Sequence, residues 1–154
     1  MAIGKEQIGR RMRRFEEVCR RHGLRLTHQR MEIFREVAGS DEHPDAETIY
    51  RGVHRRIPAV SMDTVYRTLA VLEAHGLVRK TEAQSGPARY DANADRHHHF
   101  ICTRCGLVRD VYSHKLDKVS VPAAVKAIGT VTSCEVQLRG ICAGCAKRKR
   151  NRNR

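Results

Sequence analysis

The chain has 154 residues, 40% of them apolar, with a formal net charge of +13 and a pI near 10.1. That length holds one or two small domains. No apolar run approaches the ~20 residues a membrane helix needs, and the charged start, 1–14, lacks an apolar stretch of signal-peptide type. A soluble, cytosolic protein of a reducing compartment is therefore expected. So basic a chain points to nucleic acid. With 5% aromatic residues and no tryptophan, the expected form is duplex DNA rather than stacked single strands.

In the first half, Ile8, Met12, Phe15 and Cys19 recur at helical spacing, and Gly23 is a helix-stopping glycine. Thr27 caps a second helix with Met31, Phe34 and Val37 inward, ended by Gly39-Ser40-Asp41. A third helix begins after His43-Pro44, with Asp45 at its start and Ile49, Tyr50 and Val53 inward, and Pro58 closes it. Ser61 caps a fourth, with Val65, Leu69 and Leu72 inward and Gly76 as its stop. Two strand-like runs, Leu77–Glu82 and Ala88–Ala92, flank the turn signal Gln84-Ser85-Gly86-Pro87. Helices followed by a two-stranded wing describe a winged helix-turn-helix, whose last helix enters the major groove.

Residues 93–96 read as a linker between this domain, 1–92, and a second one, 97–146. The second alternates: strands at His97–Cys102 and Leu107–Tyr112, a helix around Lys115–Ile128 that Pro122 interrupts and that starts late if Pro122 lies in its first turn, and a strand at Thr130–Leu138. The whole is an α+β chain, its second domain a small α/β module with a three-stranded sheet. So small a module gains from pairing with a second copy. Residues 147–154 read as a basic, disordered tail.

The chemistry concentrates in the second domain. Cys102-x-x-Cys105 and Cys142-x-x-Cys145 are two knuckles, each turning two thiolates toward one point. Together they suit a closed, tetrahedral, structural zinc site. Two disulfides are the alternative, and they require an oxidising compartment. The run His97-His98-His99 is internal, unlike a purification tag. On a strand, His97 and His99 share a face and can grip a second metal, while His98 faces away. Cys19 and Cys134 read as small buried apolar residues.

Several segments in order resemble the ferric uptake regulator family of metal-dependent repressors. They are Gly23-Leu24-Arg25-Leu26-Thr27 with Arg30, His43-Pro44-Asp45-Ala46 with Ile49-Tyr50, and Thr64-Val65-Tyr66-Arg67 with Leu69. Gly76-Leu77-Val78, His97 to Cys102 and both cysteine pairs complete the set. The resemblance covers about Arg10 to Cys145. It implies a winged helix followed by a dimerisation domain, with a regulatory metal held by His43, Asp91, His97, His99 and Asp110. Three imidazoles and two carboxylates suit Fe(II), Mn(II) or Zn(II), not Cu(I). Aspartate at both 91 and 110, where the family's iron sensors carry glutamate, and no cysteine in 81–91 match its peroxide-responsive members. In those, Fe(II) and peroxide oxidise a ligand histidine, here His43 or His97. An iron or manganese uptake regulator without peroxide chemistry is the alternative. A third site, built in some relatives on the positions of His98 and Asp117 and a histidine, meets Cys134 here instead.

For DNA contact, Tyr66 and Arg67 on the fourth helix are the candidates for base edges or phosphates. Arg20, Arg21 and Arg25 are candidates for the backbone or minor groove. The expected partners are an inverted-repeat duplex operator and a second copy of the chain, with no membrane. No HExxH or nucleophile motif points to an enzyme. A constitutive architectural DNA binder is the remaining alternative.

Overall fold

The computed structural model describes residues 3–81 and 86–152. The chain divides into two compact units, Met1–Ala94 and Asp95–Arg154.

The first unit has four helices, α1 (Lys5–Arg21), α2 (His28–Ala38), α3 (Ala46–His54) and α4 (Met62–Ala74). Local chemistry sets their ends. Thr27, Asp45 and Ser61 each accept a hydrogen bond from the amide three residues on, at Arg30, Thr48 and Thr64. These satisfy amides that have no intrahelical partner. Gly23 and Gly76, at φ +64° and +66°, turn the chain out of α1 and α4 in the left-handed region.

The inward stripes meet in one core. Phe15, Cys19, Ile33, Phe34, Val37, Ile49, Val53, Val65, Leu69 and Leu72 are all buried there. Phe15 and Phe34 stack with ring centroids 4.7 Å apart. Met31 and Tyr50, expected inward, are only partly buried at the edge of this core. On the helices, Arg11 and Glu32 are buried charges that depart from the apolar pattern, and each is answered. Arg11 donates to the Ala38 carbonyl at 2.9 Å. Glu32 on α2 accepts from Arg56 at 2.7 Å and also pairs with Arg35.

β1 (Arg79–Thr81) and β2 (Arg89–Asp91) pair antiparallel as the wing, with Arg79 opposite Asp91. Within the described residues they are shorter than the expected runs, and Glu82, with residues 84 and 85 of the anticipated turn, lies outside the described residues. The wing is stitched to the loop before α3. Tyr90 N–H donates to the Pro44 carbonyl at 3.0 Å, Arg89 donates to the His43 carbonyl at 3.3 Å, and Asp45 bridges Arg89.

The second unit holds a three-stranded sheet in the order β4-β3-β5: β3 (His98–Cys102), β4 (Val108–Val111) and β5 (Gln137–Gly140). β4 runs antiparallel to β3 and β5 parallel to it. The helix expected over Lys115–Ile128 is two short ones, α5 (His114–Asp117) and α6 (Ala123–Lys126). Pro122 disfavours a helical conformation in the residue before it, and two β-branched valines, Val119 and Val121, lie in the gap. The strand expected over Thr130–Leu138 pairs only from Gln137, because β3 offers it only His99–Cys102 as partners. Of the tail expected to be disordered, residues 147–152 instead continue a helix, α7 (Ala143–Arg152), and residues 153 and 154 lie outside the described residues. From Ala146 onward this stretch has neither glycine nor proline, and its lysines and arginines are good helix formers.

Removing the stacked ring by Phe15→Ala should cost about 3–5 kcal/mol through lost burial and a residual cavity. Urea unfolding followed by circular dichroism checks this; a loss below about 1 kcal/mol would show that the core lies elsewhere.

Candidate metal centre

The cysteine cluster lies within the second unit. Cys102 ends β3, and the chain reverses over the next four residues. Gly106, at φ +70°, donates to the Cys102 carbonyl at 2.9 Å, and the Cys102 amide donates to the Leu107 carbonyl at 2.8 Å. Cys142 precedes α7 and Cys145 lies in its first turn. Amides point at sulfur in both knuckles: Cys142 N–H reaches Cys102 Sγ at 3.3 Å, and Cys145 N–H reaches Cys142 Sγ at 3.4 Å.

All four Sγ atoms lie within 4.8 Å of one another, and all six cysteines of the chain are free thiols. Cys105 and Cys142 are 3.7 Å apart at sulfur. A tetrahedron of thiolates at the Zn–S length of about 2.3 Å needs roughly 3.8 Å along each edge. The donor set and its spacing therefore fit zinc.

The electrostatics describe thiols that need a cation. The Cys142 amide, with help from those of Cys105 and Arg104, pushes the Cys102 thiol down to about 6. At Cys105 the Leu107 amide also favours the thiolate, but hydrogen bonds shared with Cys102, Cys145 and Cys142 outweigh it and push that thiol up to about 11. Neighbouring sulfurs cannot all ionise together without a compensating positive charge.

A second set of donors stands at the start of the same sheet. His97 Nε2 and His99 Nε2 are 3.1 Å apart, and both face Asp110 Oδ1, at 3.6 and 3.8 Å. The β3–β4 register produces this, since it sets His99 opposite Asp110. His97 precedes the strand rather than opening it. Its Nδ1 sits 2.7 Å from the Asp95 carbonyl. A proton on Nδ1 makes that a hydrogen bond and leaves Nε2 a lone pair, as backbone carbonyls do for metal-binding histidines. Ligands about 2.1 Å from one ion at right angles lie roughly 3 Å apart. These three donors are close to that spacing.

In the first unit, His43 Nδ1 is 3.8 Å from Asp91 Oδ1. His43 adopts φ 49°, an uncommon conformation for a side-chain-bearing residue. The wing contacts to the Pro44 and His43 carbonyls hold it there. Asp91 is fixed in turn by the Asn93 amide at 2.7 Å and by Arg79 at 3.5 Å. Asn93, Arg79, Asp95 and Glu135, whose carboxylate is 3.9 Å from His99 Nδ1, are supporting groups that the sequence reading missed. Strand pairing gives the signal for two of them: Arg79 lies opposite Asp91, and Glu135 is two residues before Gln137, the partner of His99.

His98 is on the other side of β3, as the alternation requires. Its Nδ1 accepts from the Val136 amide at 3.1 Å, and its Nε2 meets Asp117 at 3.2 Å. Arg96 also pairs with Asp117, at 3.5 Å, and donates to its backbone carbonyl at 2.8 Å. Asp117 thus has a resident cation. Among the described residues no metal-type cluster includes Cys134. Cys19 is buried as expected, whereas Cys134 is only half-buried.

On α4, Tyr66 and Arg67 project outward while Val65, Thr68 and Leu69 are buried. Arg67 pairs with Asp63 one turn back at 3.1 Å, both side chains being exposed. Arg20 and Arg21 in the last turn of α1, and Arg25 beyond it, are exposed too. Tyr90 is a buried packing residue.

A winged helix followed by a small sheet domain with thiol and imidazole–carboxylate donors defines a metal-responsive, DNA-binding regulator. The chain belongs to the ferric uptake regulator family, whose model matches residues 21–139. It is 30% identical over 145 residues, 94% of this chain and 97% of the other, to the peroxide-responsive repressor PerR of Staphylococcus epidermidis. The crystal structure of the Campylobacter jejuni peroxide stress regulator is 26% identical, with a TM-score of 0.69 over 84% of this chain and 97% of that one. A zinc uptake regulator complexed with zinc and DNA is 25% identical, with a TM-score of 0.65 over 93% and 97%.

Cys142→Ser should remove one tightly held zinc per chain. A structural zinc contributes on the order of 10 kcal/mol to folding, so the variant should lose the fold of its second unit. Mass spectrometry under native conditions and circular dichroism read both effects. A fully folded, zinc-free variant would exclude a structural role.

Proposed function

We propose that this protein is a homodimeric, metal-dependent repressor that senses peroxide through iron. In this reading one Fe(II) or Mn(II) per chain is bound by His43, Asp91, His97, His99 and Asp110, and one zinc by the four cysteines. The observation that carries it is the donor set itself. His97, His99 and Asp110 converge within 3.1–3.8 Å, His43 faces Asp91 in the first unit, and both carboxylates are the short aspartates. The similarity to PerR points the same way.

Because the five ligands belong to two compact units, a bound metal favours whichever arrangement of the units brings them together. A ligand shifts such an equilibrium only by its difference in affinity between the arrangements. If the DNA-competent arrangement is the one with all five ligands in place, metal acts as co-repressor. Bound Fe(II) would supply the one-electron chemistry that cleaves peroxide, with no net change in its own oxidation state over the whole reaction. In that reaction the ring of His43 or His97 would lose two electrons as one ring C–H becomes C=O and its proton moves to nitrogen, while peroxide would accept them, one oxygen entering the ring and the other leaving as water. The oxidised ring is a poorer ligand, metal affinity falls, and the operator is released.

The proposed target is an inverted repeat in duplex DNA, read by Tyr66 and Arg67 and braced by Arg20, Arg21 and Arg25. Arg67 would exchange Asp63 for a guanine edge or a phosphate, at little cost because an exposed pair is worth little. Dimerisation through the second unit is supported by its exposed apolar side chains, among them Tyr112, Val119, Ile128 and Ile141, which a second copy would cover. Such a repressor works where its DNA is, in the cytoplasm.

With Fe(II), dilute peroxide should abolish operator binding and add one oxygen atom to the peptide carrying His43 or His97. With Mn(II), binding should persist. Electrophoretic mobility shift with peptide mass spectrometry tests this. Release from DNA with both histidines unmodified would overturn the mechanism, and indifference of the Fe(II) form to peroxide would favour a plain iron or manganese regulator. Separately, Arg67→Ala should weaken operator binding by about 1–3 kcal/mol and relax specificity. Unchanged affinity in both Arg67→Ala and Tyr66→Ala would place a different element in the groove.

A further inference from the structure

The chain's charge does not sit where the winged helix would use it. Residues 1–94 hold 17 basic and 13 acidic residues, whereas residues 95–154 hold 13 basic and only 4 acidic ones. Six of those 13 basic residues, Lys147, Arg148, Lys149, Arg150, Arg152 and Arg154, fall in the last eight positions, and no acidic residue follows Glu135. The segment is nearly all in α7, which begins at the zinc knuckle and runs to Arg152.

Such a helix is unfavourable by itself. Like charges three and four residues apart on a helix repel, and the run from Lys147 onward places basic residues at both spacings. Basic residues near a helix C-terminus recover only part of that through the dipole. What holds its first turn is the knuckle: Ala146 N–H donates to the Cys142 carbonyl at 2.9 Å, Cys145 N–H points at Cys142 Sγ, and Arg148 donates to Cys145 Sγ at 3.5 Å. Ala143, Gly144, Ala146, Lys147 and Arg148 are exposed, so this first part of the helix is open to a partner. Its charge calls for a dense polyanion, and a regular line of phosphates matches the run Lys147–Arg154, which contains no apolar residue. The alternative partner, an anionic membrane surface, would require apolar anchors opposite the basic face, and Lys147–Arg154 contains none.

We propose that α7 is a second DNA-binding element, which binds the phosphate backbone of duplex DNA independently of sequence and is anchored by the cysteine site. It adds affinity and on-rate common to all sequences, while α4 selects among them. The inference rests on the reading of the protein as a DNA-binding regulator, but it concerns a separate surface.

The test compares the zinc-loaded full chain with a chain ending at Ala146, which keeps all four cysteines. A full-length variant with Lys147, Arg148, Lys149 and Arg150 changed to glutamine keeps the helix length. Affinity for a duplex without an operator and for operator DNA is measured from about 50 to about 300 mM salt. Each phosphate contact contributes about 0.9 to the slope of log K against log salt. Both variants should lower that slope by about 2–5 per chain on both duplexes and weaken binding to random duplex at least tenfold. Preference for operator over random sequence should be kept. Unchanged slopes with zinc still bound would overturn the proposal, as would α7-dependent flotation with phosphatidylserine vesicles together with unchanged DNA binding. The random duplex separates the two readings: if α4 is not the reader, operator preference is absent in every variant, yet the loss of slope caused by removing α7 remains.

Discussion

The second unit depends on four sulfurs brought to one point. Cys102 and Cys105 lie on a hairpin, and Cys142 and Cys145 near the end of the chain. The cluster therefore closes a loop of 40 residues, from Cys102 to Cys142, that contains β4, α5, α6 and β5. Among the described residues of this unit, the buried apolar side chains are Val108, Cys102 and Cys145. A module this small cannot draw much stability from its core. The amide hydrogen bonds to Cys102 favour its thiolate, but sulfurs 3.7 Å apart oppose sharing that charge without a cation. Metal binding and folding of this unit would therefore be coupled, and a metal on the four sulfurs would reinforce the parallel pairing of β5 with β3, since one knuckle ends β3 and the other follows β5.

The same sheet then serves chemistry at its other end. β3 is central, so its alternation turns His98 and His99 to opposite sides. His99 is opposite Asp110 on β4, and His98 turns to Val136 and Asp117 on the other side. In the first unit the equivalent positioning is done by the wing, whose backbone and arginine contacts keep His43 in a left-handed conformation beside Asp91. Strain of this kind persists only where surrounding contacts over-determine it. It is placed at one of the five residues proposed to bind the regulatory metal.

Much of this was legible from the residues because the signals were local. N-caps at Thr27, Asp45 and Ser61 and helical apolar stripes marked out the four helices of the first unit closely. The cysteine spacing located the thiol cluster, and the order of motifs indicated the family. The failures came where tertiary partners decide. Thr130–Leu138 has the composition of a strand, but only the part facing β3 can pair. Lys115–Ile128 has a helical pattern that Pro122 interrupts. The basic tail reads as disordered by composition, and its helix depends on a first turn set by the cysteine knuckle. Asn93, Arg79, Asp95 and Glu135 support the proposed metal ligands through backbone or cross-strand geometry, which no single-residue pattern announces.

The uneven charge bears on how such a regulator divides affinity from selectivity. A winged helix with 17 basic and 13 acidic residues has a modest net field, and part of its arginine complement is committed to structure: Arg11 to Ala38, Arg56 to Glu32 and Glu36, Arg79 to Asp91. That leaves α4 with few cations to neutralise phosphates, so its contacts weigh toward discrimination. The strong field belongs to the other unit. Counterion release from α7 would supply sequence-independent attraction that does not require the regulatory ligands to be assembled. Metal loading and peroxide would then change how well the two units present α4, while the background attraction stays constant. The consequence would be a protein that lets go of its operator without leaving the DNA, and that searches from there when metal returns.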